Sequence, residues 1–425
     1  MNQYDGFADG PDASSLSAAE AAAELGITRA TLYAYVSRGL LRSEPGADSR
    51  SRRYPRADVE ALKRRQEAAR PREAAEHALD WGLPVLDSAL TRIAGGALAY
   101  RGHDAIPLAR GGETLERVAA LLWLGSLDEP LPAATEEGPP WRAAELAGLL
   151  RRAADLRPFD RMRLLLAVAS AESVAAEGRR PEVLAGVGLR LVHRLAAAAS
   201  GPETVPEPAG AAATLARAWS GGRQEAERLV RAALVLTADH ELNVSAFTAR
   251  CVASAGAPLE AAVAAGLAAL GGPRHGGHCD RVEALFEEAV RAPSPRSCVE
   301  ARLRRGEAVP GFGHRLYPDG DPRGALLLAM TEELAPGTAQ AEAAALAEAA
   351  ADLLGERPTI DFGLVAAARA LGLPPGAALA LFAVGRSVGW IAHALEQYRD
   401  GRMVRPRARY VGPHTAGASG SEASP

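Results

Sequence analysis

Pro310-Gly311-Phe312-Gly313-His314-Arg315-Leu316-Tyr317-Pro318-Asp319-Gly320-Asp321-Pro322-Arg323 is the stretch on which the reading of this chain turns. Glycines on either side of Phe312, with prolines at 310, 318 and 322, mark a tight loop. Glycine reaches backbone conformations closed to other residues, and proline lacks the N–H that a helix needs. Two earlier segments share that character, Ala238-Asp239-His240-Glu241-Leu242-Asn243 and Gly272-Pro273-Arg274-His275-Gly276-Gly277. Thr359-Ile360-Asp361-Phe362 and the arginines Arg386, Arg405 and Arg407 follow. Histidine, aspartate and arginine gathered in such contexts point to proton transfer on an anionic substrate.

Outward from these loops the sequence is helical. Apolar residues recur at helical spacing over Leu115–Leu124, Arg142–Leu156, Met162–Ala176, Pro181–Ala199, Gln224–Thr237 and Ala339–Leu354. Only Val85–Ala99 has the β-branched and glycine content of a short strand pair. Of the 425 residues, 48% are hydrophobic and 5% aromatic, which suits helices packed through small side chains. An all-α core from about 80 to 412 is expected, with polar, disordered ends at 1–15 and 413–425. The net charge of −4 excludes a general polycation, so nucleic-acid binding would need a local basic patch. The odd cysteine count, Cys251, Cys279 and Cys298 with no CxxC pair, fits a reduced cytoplasm rather than a disulfide framework. No uninterrupted apolar run of about 18 residues predicts a membrane span, and the N-terminus lacks signal-peptide character.

Residues 16–70 form a separate basic block. Ser17 and Glu20 match a capping box, Gly26 ends that helix, and Thr28 caps a second one over Arg29–Arg38. Leu32, Tyr35 and Val36 take its inner face, while Arg29, Thr31, Tyr33 and Arg38 lie on or beside the outer one. Arg50, Arg52 and Arg53 with Tyr54 read as a basic wing, and a further helix starts near Ala57. Ten Lys/Arg against four Asp/Glu over 28–65 leave this block positive. Two readings follow: a DNA-binding helix-turn-helix, or a packing module with a solvated charged face. The run Leu25–Leu41 resembles the winged helix-turn-helix of the MerR family and its excisionase-like relatives, which favours duplex DNA. Arg29, Thr31, Tyr33, Arg38, Arg52 and Arg53 are then the candidate contacts.

Stock motifs fail elsewhere. His240-Glu241 starts like a zinc HExxH, but Val244 stands where the second histidine belongs. Gly311-Phe-Gly313 and Gly186-Val-Gly188 lack the third glycine of a dinucleotide loop. Asp319-Gly320-Asp321 meets Met330 where a calcium loop needs glutamate. Lys63, the single lysine, belongs to no phosphate loop. Neither a metal nor a resident cofactor is expected.

Taken singly, His275 and His314 could be ordinary loop histidines and Asp361 a cap before an apolar helix over Leu364–Leu371. Taken jointly, they resemble the citrate synthase family, from Tyr100-Arg101-Gly102 through the four segments above to Gly385-Arg386, Gly389-Trp390-Ile-Ala-His393 and Arg405-Pro406-Arg407. The resemblance covers most of the chain after residue 80. It implies a large helical domain with a smaller one, about 277–370, that closes on it. It further implies a homodimer that condenses acetyl-CoA or another short acyl-CoA with oxaloacetate. By that resemblance Asp361 is the base, His275 hydrogen-bonds the developing enolate, and His314 polarises the ketone. His240, Arg323, Arg386 and Arg405 hold the carboxylates, Arg405 from the second subunit. Val309, Pro310, Gly311, Phe312 and Gly313 border CoA.

The chain departs from the family where His278-Cys279-Asp280 replaces the usual Ala-Asn after the glycines, and where Thr359 and Gly363-Leu364-Val365 flank the Asp361 segment. Cys279 is expected to be an inert buried thiol. A rival reading is a DNA-binding regulator whose synthase-like body senses an acyl-CoA or a dicarboxylate.

Overall fold

The computed structural model describes residues 15–45, 52–63, 86–132, 148, 151–172, 180–202, 204, 207–408 and 410–412. The expected ends at 1–14 and 413–425, wing residue Arg50 and most of the helix expected at 142–156 lie outside them. The chain divides into two compact units, Met1–Asp87 and Ser88–Pro425.

In the first unit β1 (Ser15–Ser17), α1 (Ala18–Leu25), α2 (Arg29–Ser37), β2 (Glu44–Pro45) and β3 (Arg52–Pro55) precede a helix α3 over 56–63. The capping box forms: Glu20 N donates to Ser17 Oγ at 3.3 Å and Ser17 N donates to Glu20 Oε2 at 2.8 Å. Gly26 stops α1 in the left-handed conformation at φ 63°, and Thr28 Oγ1 accepts from Thr31 N to start α2. Leu16, Ala21, Leu25, Leu32, Leu41, Tyr54, Val59 and Leu62 make a core of their own under an antiparallel sheet ordered β1-β3-β2.

The second unit opens with β4 (Thr91–Ala94) and β5 (Ala97–Tyr100), an antiparallel hairpin. Gly95 and Gly96, at φ 58° and 75°, make its two-residue turn. After β6 (His103–Asp104) come α4 (Ala105–Arg110), α5 (Leu115–Leu124), α6 (Pro158–Glu172), α7 (Pro181–Ser200), α8 (Ala211–Ser220) and α9 (Gln224–Thr237). Then follow α10 (Val244–Ser254), α11 (Leu259–Leu270), α12 (His278–Arg291), α13 (Pro295–Arg304), α14 (Pro322–Leu334), α15 (Thr338–Leu354), α16 (Ile360–Leu371) and α17 (Ala377–Asp400). One expectation needs correcting. Asp361 does not precede a helix starting at Leu364 but sits in the first turn of α16, which begins at Ile360. A carboxylate suits that place, where unpaired N–H groups give the helix a positive end.

Helix α17 is the hub, buried without a break from Ala377 to Leu395 and packed against α5, α6, α7, α9, α10, α11, α12 and α16. It and α7 are long and apolar enough to cross a membrane by composition, yet all of the α17 window and 67% of the α7 window are buried in this fold. Core packing accounts for their character. Small residues set how closely α17 approaches its neighbours. A methyl group added at Gly385 would stand 2.1 Å from Thr237 Oγ1 and 2.6 Å from Leu234 O, and one at Gly389 2.4 Å from Ala238 O and from Asp239 Oδ1. Gly385→Ala is therefore expected to destabilise the fold by about 1–3 kcal/mol, since backbone cannot yield as a side chain does. Chemical denaturation of the full chain checks this, and an unchanged midpoint would refute it.

Candidate active site

His240 follows the end of α9, in a segment held from both sides. Buried Tyr100 donates its hydroxyl to Val235 O at 2.9 Å, and Glu241 Oε1 accepts from Ile93 N at 3.0 Å. The hairpin thus braces the loop, and Glu241 adopts φ 52°, a conformation that costs a non-glycine residue energy. Asn243 caps α10, accepting from Ser245 N and Ala246 N, and returns its amide to His240 O at 3.2 Å.

His240 and His314 meet edge to face with ring centroids 5.5 Å apart, and Tyr317 packs on both. His240 Nε2 and the Tyr317 hydroxyl share a hydrogen bond of 3.0 Å. His314 Nδ1 accepts from Leu316 N at 3.1 Å, so a neutral ring carries its proton on Nε2. His275 lies in the turn between α11 and α12. Its Nε2 is 2.8 Å from Ser245 Oγ, which also receives Trp390 Nε1–H at 3.0 Å and lies 2.7 Å from Asn243 Oδ1. With Trp390 donating, the single hydroxyl proton of Ser245 serves either Asn243 or His275.

The arginines are placed differently from one another. Arg323 gives Nε and Nη2 to Asp321 at 2.9 and 2.8 Å, a bidentate pair buried over Tyr317. Asp321 in turn caps α14 and accepts from Ile360 N at 3.0 Å, tying that pair to the start of α16. Arg386, at the middle of α17, donates Nε to Thr237 O at 2.8 Å, and its buried Nη2 has no partner among the described residues. Phe382 stands between Arg386 and His275, with the Arg386 guanidinium 5.0 Å and the His275 ring 6.1 Å from its centroid. Arg405 is exposed, and no hydrogen bond or ion pair among the described residues joins it to this cluster.

Asp361 meets the glycine loop through backbone. Phe312 bridges Pro358, Gly313 N donates to Arg357 O at 3.0 Å, and Thr359 N donates to Gly311 O at 2.9 Å. Gly311 and Gly313 allow this with φ of 94° and 73°. Val309 and Pro310 lead into the loop from the far side. From α12, Cys279 Sγ donates to Asp361 Oδ1 at 3.2 Å and His278 Nε2 accepts from Gly311 N at 3.0 Å.

Burial sets the protonation states. It pushes His275 down to about 3 and His240 well below 6.5, with Arg386 depressing both and Arg323 also depressing His240. His314 is lowered by burial and by Arg323. All three rings are therefore neutral near pH 7. Burial raises the Asp361 carboxyl, opposed by His278 and the Cys279 hydrogen bond, and raises Tyr317 to about 12. Cys279 is buried with its thiol pushed well up, which makes it inert as a nucleophile.

Sequence reasoning missed Tyr317, Ser245 and Asp321 as partners of the site. Tyr317 and Asp321 stood inside the quoted loop, and their polar atoms in a buried setting were the available signal. Among the described residues, no group of three or more His, Cys, Asp or Glu side chains could hold a metal ion. In the first unit Arg29, Tyr33, Arg38 and Arg52 are exposed. Thr31 is half-buried beside Thr28, and Arg53 is spent on Ser15, donating to its Oγ at 3.0 Å and its carbonyl at 2.8 Å.

The family model "Citrate synthase, C-terminal domain" matches residues 78–407, and a helix-turn-helix domain model matches 15–67. A putative citrate synthase 2 from Mycobacterium bovis is 34% identical, covering 75% of this chain and 88% of its own length. The citrate synthase of Haloferax volcanii is also 34% identical, covering 78% and 94%. A 2-methylcitrate synthase from Shewanella oneidensis is 28% identical over 75% and 90%. The crystal structure of citrate synthase from Thermotoga maritima aligns with a TM-score of 0.64 at 27% identity, covering 79% of this chain and 95% of that one. The citrate synthase of Thermoplasma acidophilum, solved as a ternary complex of carboxymethyl coenzyme A and oxaloacetate, aligns at 0.67 with 23% identity, covering 80% and 97%, and speaks to the fold alone.

The neutral histidines predict a pH signature. A histidine whose folded-state pKa lies below its ordinary 6.5 favours the fold above that value, and the contribution is lost as pH falls toward the folded value, about 3 for His275. Asp361, raised by burial, acts in the opposite sense. The three rings outweigh it, so melting temperature should be level from about pH 8 to about 6.5 and then fall steadily. A level curve down to about pH 4 would contradict neutral burial of these rings.

Proposed function

Because the chain belongs to the citrate synthase family, which condenses acetyl-CoA or a short acyl-CoA with oxaloacetate, we propose that His275, His314 and Asp361 carry that reaction here. The product is citrate, or its alkyl homologue, and CoA. The thioester is a substrate, and no resident cofactor takes part. The observation that carries the assignment is the Arg386 guanidinium, buried with an unpartnered Nη2 among neutral histidines. A buried cation with a free donor is matched by an anionic ligand, and guanidinium forks suit carboxylates.

Asp361 removes a proton from the thioester methyl group, and its raised pKa makes it a better base than a solvated carboxylate. His275 then hydrogen-bonds the enolate oxygen through Nδ1–H, which requires the Ser245 hydroxyl to turn its proton to Nε2 from Asn243 Oδ1, to which it donates at 2.7 Å. The enolate carbon attacks the oxaloacetate ketone while His314 Nε2–H hydrogen-bonds the carbonyl oxygen and gives up its proton. Water hydrolyses the citryl thioester in the last step. His240 and Arg386 hold the dicarboxylate directly. Arg323, engaged by Asp321, contributes mainly through its charge and its remaining Nη1. Val309–Gly313 border CoA, and closure of the region 277–370 excludes water. An exposed Arg405 fits a role in the partner's site of a homodimer. The enzyme belongs with the acyltransferases that convert acyl to alkyl on transfer, and its setting is the cytoplasm and the tricarboxylic acid cycle.

Oxaloacetate-dependent thiol release from acetyl-CoA and from propionyl-CoA tests the reading. Asp361→Ala is expected to lower turnover by about 10²–10⁴-fold. Arg386→Leu is expected to raise the oxaloacetate KM by at least about 30-fold, the usual cost of removing one partner from a buried charge pair. A wild type that binds both thioesters and releases no thiol would hand the body of the protein to the sensor reading.

The helix-turn-helix match, with Arg29, Arg38 and Arg52 exposed around Thr31 and Tyr33, supports duplex DNA as a partner of the first unit. Binding of the full chain to duplex DNA should weaken at least about tenfold between roughly 50 and 200 mM salt, because phosphate contacts release counterions. Affinity absent at low salt would leave the block as a packing module.

A further inference from the structure

The proposed base has a close neighbour on α12. Cys279 lies in the first turn of α12, wholly buried, and its Sγ–H reaches Asp361 Oδ1 at 3.2 Å across the interface of α12 with α16. No hydrogen bond to Oδ2 occurs among the described residues. The flanking residue His278 holds Gly311 N. One turn of helix therefore grips both the carboxylate and the glycine loop that bears on it.

We propose that Cys279 is a positioning residue for the condensation: its thiol holds Oδ1 of Asp361, aims Oδ2 at the thioester methyl group, and sets how basic the carboxylate is. The proposal rests on Asp361 acting as the base.

The chemistry of sulfur gives the proposal its sign. A buried thiol stays protonated, so it acts toward the carboxylate as a donor. A donor favours the ionised carboxylate and opposes the burial that raises its pKa. Sulfur is a weak donor, however, so a thiol restrains that rise less than a hydroxyl does. Cysteine then favours the ionised base without making it as weak a base as a fully hydrogen-bonded carboxylate. The other ionisable and charged groups facing Asp361 are His278 from α12 and the Asp321–Arg323 pair from the start of α14, with Arg323 opposing the rise and Asp321 adding to it. These remain in place when Cys279 alone is changed.

The test is the pH profile of kcat for thiol release by the full-length protein, measured for wild type, Cys279→Ala and Cys279→Ser. Removing the donor is expected to move the acid limb of Cys279→Ala upward by about half a unit to one unit, the equivalent of one modest hydrogen bond. Serine is expected to hold the limb at or below the wild-type position. A His278→Gln background, whose amide oxygen still accepts from Gly311 N, is expected to show the same displacement on Cys279→Ala, which assigns the limb to Asp361. Should the alanine variant not fold, serine alone decides, and an upward shift overturns the proposal. Limbs that coincide in all three proteins, with Asp361→Ala inactive, overturn the role of Cys279 and leave the base standing. A wild type without oxaloacetate-dependent release, or activity that survives in Asp361→Ala, overturns the underlying reading together with the proposal.

Discussion

The close approach of α17 to the end of α9 is the constraint on which the rest of the molecule depends. Gly385 and Gly389, one turn apart, leave no side chain between α17 and the segment Thr237–Asp239. Arg386 can then reach Thr237 O, while His240 is delivered from the far end of the same segment. Gly266 plays a similar part on α11, where an added methyl would stand 2.7 Å from the Trp390 ring. That packing fixes the indole whose N–H meets Ser245 and, through it, His275. Interiors packed to crystal-like density transmit such constraints, so the geometry of the proposed site is an extension of helix packing.

The second organising force is charge without solvent. Two buried arginines and three neutral imidazoles share one neighbourhood with the carboxylates of Asp321 and Asp239. Asp321 belongs to Arg323 and to the start of α16, while Asp239 lies beside His393, 3.3 Å from its Nε2. Of the three carboxyls here, Asp239 and Asp321 are lowered, and Asp361 is the one that burial raises. Burial sets the direction for the histidines and for Asp361, whereas charge and hydrogen bonding from Arg323 carry Asp321 down against its burial.

Much of this was legible in the sequence, and the reasons are local. Ser17, Glu20, Gly26 and Thr28 announced α1 and α2 because caps act over three or four residues. The loop histidines stood out through their glycines, which the structure uses for left-handed turns at Gly311 and Gly313. Helix ends were less readable: α16 starts at Ile360 because Asp321, thirty-nine positions away, accepts its first N–H. No pattern near Asp361 could reveal that. Arg323 and Arg53 looked alike as free cations until tertiary contacts gave each a partner, Asp321 and Ser15. Ser245 was invisible for the same reason, since its meaning lies in Trp390, far along the chain.

The unpartnered Nη2 of Arg386 has a thermodynamic side as well. A fold that keeps a cation in its interior with one donor idle is less stable empty than it could be, and the deficit is recovered when a dianion arrives. If Arg386 holds the dicarboxylate as proposed, ligand-free protein is in that sense an unfinished structure. Under that assignment folding and ligand capture draw on the same interaction, and the concentration of a small dicarboxylate becomes a term in how long the chain survives heat or proteolysis.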